Sequence, residues 1–302
     1  MVSSKTFHII CNLFFILLLV LLLSQIITLA FWGVSSHSID TQQKFAPANV
    51  IVKEALPKSY ILSDNYDPAP PSNMPVYDSL SLAERREKQL PTSLPNYQPY
   101  YGKKAVYLTF DDGPDPENTP VVLELLRKNK VKATFFITGN QAEKYPELLK
   151  QIYLAGHAIG NHSYNHIYRE LYQSPEAYTA QLHRTDDVIK NIIGVRPLIT
   201  RAPGGSAGSF NRHYWDLLEK EGYIEVGWNI SSGDASSARS DQIFQNIVYQ
   251  MNNKFLWSHA IILMHDGRGH SETVKALPHI INYLKQHGFE FRVVNLYTPP
   301  PW

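Results

Sequence analysis

From Lys104 onward, short runs rich in β-branched and aromatic residues alternate with stretches of helical periodicity, and this alternation constrains the fold more than any other feature of the chain. Candidate strands lie at 105–110, 133–138, 157–162, 198–201, 223–229, 260–265 and 289–294. Candidate helices fill the gaps. Residues 119–129 follow a proline start, 211–221 has Asn211 as cap and Gly222 as stop, and 271–287 ends at Gly288 with Pro278 as an expected kink. Strand–helix alternation means a parallel sheet with helices outside it. Seven strands over this length suit a barrel-like α/β domain. A doubly wound open sheet has the same alternation, and periodicity does not separate the two.

The first third has another texture. An apolar stretch runs over residues 9–34, and no charged residue stands between Lys5 and Asp40. A membrane-spanning helix needs about 20 apolar residues, and Lys5 before it would hold the N-terminus inside. The rival is a cleavable signal peptide, whose apolar region is usually about 7–15 residues long. Ser24-Gln25 would end such a region, and Thr28-Leu29-Ala30 is a passable cleavage site. A buried core helix fits less well, because the stretch is apolar on every face. Residues 1–34 are therefore expected to be a cytoplasmic tip with a transmembrane anchor, or a signal peptide. The first makes a single-pass membrane protein with an extracytoplasmic domain, the second a secreted one.

Nine of the 20 prolines fall between residues 40 and 103. Proline removes a backbone donor and blocks helix interiors, so residues 35–103 are expected to form an extended stalk. Within it, 50–56 has the pattern of a strand or helical turn, and 81–90 that of a short helix. A small ordered domain is the alternative. Cys11 is the only cysteine, so any metal must be held by His, Asp or Glu. With 28 basic and 27 acidic residues, the chain has no electrostatic footprint for nucleic acid.

The reactive residue types cluster at the ends of the candidate strands, where parallel α/β folds place their sites. Thr109-Phe110-Asp111-Asp112-Gly113-Pro114 closes the first strand with paired carboxylates and a turn. Taken alone, Asp-Gly and Gly-Pro signal only a turn. His162 and His166, at i and i+4, would share one face of a helical turn. With one carboxylate they make a two-His, one-carboxylate metal set with open positions for water. His157 is read as a packing residue. Arg201-Ala202-Pro203-Gly204-Gly205 combines a guanidinium able to orient a carboxylate with glycines that let backbone N–H groups approach a ligand. Trp228 to Asp234 leaves another strand, and Asp234 is placed to tune a histidine or to cap a turn. Leu263-Met264-His265-Asp266-Gly267 ends an apolar strand with a histidine suited to proton transfer.

Together these segments resemble the polysaccharide deacetylase family, also called the NodB homology domain or carbohydrate esterase family 4. The resemblance runs over roughly residues 104–294, with a catalytic domain taken as 104–297. It rests on Thr109 to Pro114, His-Ser-x-x-His at 162–166, Arg-x-Pro-x-Gly at 201–205 and Leu-x-His at 263–265. It implies a deformed (β/α) barrel of about seven strands with one divalent metal, commonly zinc. By the same resemblance Asp112, His162 and His166 are the metal ligands, Asp111 is the general base and Arg201 orients it. His265 is the general acid, held or tuned by Asp234. Leu263 would line a pocket for the acetyl methyl, Gly204 N–H is the expected donor to the developing oxyanion, and Tyr164 and Trp228 would either stack on sugar rings or fill the core. The implied substrate is an N-acetylated glycan, with peptidoglycan N-acetylglucosamine favoured by the export signal and stalk. Chitin-like oligomers, poly-N-acetylglucosamine and xylan stay open. The chain departs from the family at Ala235, where Trp is common, and at Ile167, where Pro is common. Both positions belong to the pocket wall. A silent wall-binding module is the rival reading, opposed by the full ligand set and Asp111. A two-metal phosphoesterase is opposed by the lack of a second carboxylate cluster in the sequence.

Overall fold

The computed structural model describes residues 59–301. The apolar stretch 9–34 and the run 50–56 lie outside them. Within the described residues the strands are β1 (Tyr60–Leu62), β2 (Val76–Asp78), β3 (Ala105–Asp111), β4 (Thr134–Ile137), β5 (Ala158–Asn161), β6 (Arg196–Pro197), β7 (Ile199–Thr200), β8 (Ile224–Glu225), β9 (Ile230–Ser231), β10 (Ala260–His265) and β11 (Glu290–Arg292).

Eight of them form one all-parallel sheet in the order β8-β7-β5-β4-β3-β10-β9, with β11 also on β3. β11 pairs with the first half of β3, Ala105 to Tyr107, and β4 with the second, Thr109 to Asp111. The two ends of the sheet decide between barrel and open sheet. A flat array of this order would hold β8 and β9 about 29 Å apart, at about 4.8 Å per strand. Only residues 226–229 join them, and that link reaches about 18 Å at full stretch. The sheet therefore curls until its two ends lie within that reach. It is a barrel left open between β8 and β9. The expected strand 223–229 is thus cut short: only β8 falls within it, its second half is the link that passes from one lip of the opening to the other, and β9 begins just beyond it. The seven expected strands become eight.

β3 is buried along its whole length, and its side chains alternate. Val106, Leu108 and Phe110 join the main core, with Phe135, Ile137, Ile262 and Met264 from neighbouring strands. Helices Thr119–Asn129 and Ser271–Gln286 cover this face with Val122, Leu126, Ile280 and Leu284. Tyr107 turns inward with Phe136, Val226 and Ile261. The same alternation aims Thr109 and Asp111 inward, and register sets Leu263 beside Thr109 and His265 beside Asp111. Helix Arg212–Lys220 has the expected cap at Asn211, whose side chain accepts from His213 N–H. Helix Ser271–Gln286 runs through Pro278 without a break.

The stalk expectation is corrected from residue 59 on. β1 and β2 pair in parallel, and β2 pairs antiparallel with β6 of the barrel domain. Helix Leu82–Glu87 follows, with Ser81 and Glu84 in a capping box. Asp78 binds Arg85 at 2.5 Å and Arg196 at 3.1 Å, and all three are fully buried. Tyr77 Oη accepts from Ile159 N–H at 3.0 Å and donates to the His157 carbonyl at 3.3 Å, fixing β2 to β5. This segment is part of the domain, so the domain does not begin at 104. Its prolines separate short elements that are locked by long-range contacts. His157 packs as expected: it is buried, with Nδ1 accepting from Ala133 N–H at 3.1 Å.

Candidate active site

The site lies at the carboxyl-terminal ends of β3, β5, β7 and β10. Asp111 is the last residue of β3 and is 2% exposed. Arg201 Nη1 donates to Asp111 Oδ1 at 2.9 Å and to Thr109 Oγ1 at 2.7 Å. Arg201 is itself fixed by the carbonyls of Val226 and Gly227, both at 2.9 Å, and lies against the Phe136 ring. Asp111 Oδ2 remains directed at the histidines, 3.7 Å from His162 Nε2.

Asp112 has a φ of 72°, in the left-handed region. A continued strand would send its side chain to the opposite face from Asp111. The reversal brings both carboxylates to one place. Asp112 Oδ1 lies 3.5 Å from His162 Nε2 and 3.4 Å from His166 Nε2. That oxygen is buried and receives no hydrogen bond. Bonds of about 2.0–2.1 Å to a tetrahedral ion put neighbouring ligand atoms about 3.3 Å apart. The three residues therefore fit a divalent metal, and the orphaned oxygen has no other evident partner. His162 Nδ1–H donates to the Arg201 carbonyl at 2.8 Å, which fixes the tautomer and leaves Nε2 free as a ligand. Burial pushes the His162 imidazole below its usual range, against the pull of Asp111 and Asp112, so it favours the neutral form that a metal needs.

The expected helical turn at 162–166 is a loop. Ser163 and His166 have φ of 67° and 59°. Such angles cost about 1–2 kcal/mol each for residues with a Cβ, and strain of this kind collects at functional sites. Asn161 Oδ1 accepts from Ser163 N–H at 3.0 Å, and Ser163 Oγ accepts from His166 N–H at 3.2 Å. Asn161 is held in turn by Asp186 at 2.7 Å.

His265 faces the triad from β10. Asp234 Oδ1 accepts from its Nδ1–H at 2.8 Å, and Asp234 Oδ2 accepts from its backbone N–H at 2.7 Å and from Thr273 Oγ1 at 2.8 Å. Burial alone would lower His265, but the Asp234 hydrogen bond and the charges of Asp111 and Asp112 raise it to about 9. Burial would raise Asp234, yet those hydrogen bonds hold it below the usual carboxylate range.

The structure brings Asp111, Asp112, His162, His166 and Arg201 together, and places His265, with Asp234 behind it, beside Asp111 on the neighbouring strand. Leu263 sits two residues before His265 on the same inward face. Gly204 has a φ of 71°, and a Cβ there would come within 2.8 Å of Tyr168 Oη. Trp228 stands over Gly205 and 5.8 Å from the Arg201 guanidinium. Tyr164 is a correction. Its hydroxyl donates to Glu143 at 2.6 Å and Arg184 covers its ring at 3.3 Å, so its ring face and hydroxyl are already taken. Tyr168 is the aromatic beside the ligands, 5.3 Å from the His166 ring. Asp266 was also missed as a site residue. Its buried carboxyl is pushed up to about 7 by burial, and Thr119 Oγ1 donates to it at 2.5 Å. It packs so closely under the turn that a Cβ on Gly113 would lie 2.6 Å from its Oδ1. The Gly113 signal in the sequence is thus a close approach rather than a left-handed turn.

The family model for polysaccharide deacetylase matches residues 99–226. A peptidoglycan-N-acetylglucosamine deacetylase of Bacillus cereus is 37% identical over 193 residues, covering 63% of this chain and 67% of the relative. A chitooligosaccharide deacetylase of Azorhizobium caulinodans is 31% identical, covering 62% of this chain and 91% of the relative. Among solved structures, a polysaccharide deacetylase from Bacillus cereus superposes with a TM-score of 0.58 at 34% identity, covering 64% of this chain and 92% of that one. The catalytic domain of a Eubacterium rectale peptidoglycan N-acetylglucosamine deacetylase gives 0.59 at 29%, covering 68% and 95%. The chain belongs to the polysaccharide deacetylase family, carbohydrate esterase family 4, and is a hydrolase of linear amides.

Proposed function

We propose that this deacetylase acts on the N-acetylglucosamine units of peptidoglycan, with Asp111 as base and His265 as acid. The observation that carries the site assignment is the unpartnered, buried Asp112 Oδ1 facing two imidazole nitrogens, with a second, guanidinium-held carboxylate beside it. The names of several relatives support the polymer.

Asp112, His162 and His166 would hold a divalent ion, whose chemistry is to polarise the acetyl carbonyl and acidify water. Two histidines and a carboxylate suit zinc. Asp111 takes the proton of the attacking water on Oδ2, since Oδ1 is committed to Arg201. The water oxygen adds to the acetyl carbon, and Gly204 N–H stabilises the oxyanion. His265 then protonates the nitrogen as the C–N bond breaks, releasing acetate and the sugar amine. Asp234 keeps His265 charged for that step. Leu263 closes the space for the acetyl methyl, and Trp228 walls the pocket beyond Arg201.

We further propose that residues 1–34 anchor the chain in the membrane with the catalytic domain outside, supported by the length of the apolar stretch. Acetate release from peptidoglycan, chitin oligomers, poly-N-acetylglucosamine and acetylated xylan tests the substrate, with elemental analysis for the ion. Peptidoglycan is expected to give the highest kcat/KM and zinc the stoichiometric occupancy. Faster turnover of chitin oligomers would replace peptidoglycan as the substrate.

A further inference from the structure

An unbroken run of aromatic rings leads away from the ligand His166. Tyr168 lies 5.3 Å from His166, Tyr172 6.0 Å from Tyr168, Phe210 6.3 Å from Tyr172 and Trp215 5.3 Å from Phe210. The two ends are the exposed members, Tyr168 at 52% and Trp215 at 45%. The middle rings are half-buried and fixed: Tyr172 Oη donates to the Pro203 carbonyl at 2.5 Å, and Phe210 stacks on Tyr214 at 4.6 Å. Tyr168 Oη lies over Gly204, in space that any side chain at 204 would take. It makes no hydrogen bond among the described residues, so it is a free donor beside the triad.

Exposed tyrosine and tryptophan present rigid, amphipathic contact area with little rotamer entropy to lose. The apolar C–H faces of pyranose rings suit them, while their edges keep contact with water. Exposed tyrosine and tryptophan, apolar on the ring and polar at the edge, are enriched where proteins bind partners. This run starts at a reaction centre for an acetylated polysaccharide, so the ligand is already indicated by the site it adjoins.

We propose that Tyr168 and Trp215 bound a glycan-binding track. Tyr168 holds the sugar whose acetyl group is removed, by stacking and by a hydrogen bond from Oη. Trp215 holds a sugar further along the same glycan. The track rests on the triad as the reaction centre and adds a length preference to it.

The test uses the metal-loaded full chain with N-acetylglucosamine oligomers of increasing length, measuring both binding by calorimetry and acetate release. Trp215→Ala is expected to weaken binding and raise KM by roughly three- to tenfold, the size of one aromatic contact, with the loss confined to the longer oligomers. Trp215→Phe should recover part of it. Tyr168→Ala should raise KM at every length, with Tyr168→Phe intermediate. Metal content and melting temperature serve as the fold controls for each variant. Variants that bind and turn over all lengths as the wild type does would overturn the track while leaving the deacetylase assignment standing. Trp215-dependent binding of long oligomers without acetate release would support the track and remove N-acetylglucosamine oligomers as the substrate. A Trp215→Ala loss equal at all lengths would overturn the assignment of Trp215 to a distal sugar.

Discussion

Asp111 and Asp112 are neighbours of one residue type with opposite surroundings. Asp111 is buried on extended backbone and tied to Arg201, while Asp112 takes a left-handed turn and ends with an oxygen that no donor satisfies. The account predicts that Asp112→Ala empties the metal site, seen as loss of stoichiometric metal by elemental analysis. Full metal content in that variant would contradict the ligand set. At His265 the sign of the pKa shift sets the pH profile. Its folded value of about 9 stands above the ordinary 6.5, so the protonated acid persists through neutral pH and is lost as pH rises through the alkaline range. A bound cation offsets the pull of Asp111 and Asp112, so the alkaline limb of kcat should fall between those two values. Asp234→Asn removes the counter-charge and should move the limb to lower pH. An unmoved limb would separate Asp234 from the acid. The paired carboxylates, histidines and strand-end His265 were legible because each sits where a β-rich run stops. The Tyr164–Tyr168 exchange was not, since side-chain direction in the loop depends on left-handed angles at Ser163 and His166 that no residue type there announces.

Among the elements, those closest to the chemistry obeyed the local pattern best. β3 and β10 carry continuous apolar runs and match their expected spans within a residue. The stretch 223–229 shows strand composition but pairs only at Ile224–Glu225, because the rest crosses from one lip of the open barrel to the other, a matter of closure rather than propensity. In residues 59–103 the helix at Leu82–Glu87 was legible, but the proline content pointed to a stalk, and the buried Asp78–Arg85–Arg196 cluster that holds the segment spans more than a hundred positions of sequence. Asp78→Ala leaves two buried guanidinium groups without their shared partner, so it should destabilise the fold by about 3–5 kcal/mol. Urea denaturation measures this, and a loss under about 1 kcal/mol would mean that the clamp is solvated. Arg196 also reaches Asp186, which holds Asn161 and through it the His162 loop. Weaker metal retention is therefore expected in the same variant.

At the scale of the molecule, the curled sheet gathers groups from β3, β5, β7 and β10 at one rim, and the segment before Lys104 closes around the opposite flank of β5 through Tyr77. A chain cut at Lys104 keeps every candidate site residue but loses that support, and it should melt well below the longer chain. Cell fractionation tests the anchor. The full-length protein is expected in the membrane fraction, with its catalytic domain open to added protease from outside, and a cytosolic location would contradict it. The central claim is that one carboxylate of the pair binds the ion while the other moves the proton. The most direct measurement is acetate release by Asp111→Asn with its metal content determined on the same sample. The account predicts full metal occupancy with activity reduced at least about 100-fold, the usual share of a positioned base. Acetate release at the wild-type rate, or an empty metal site in that variant, would contradict it.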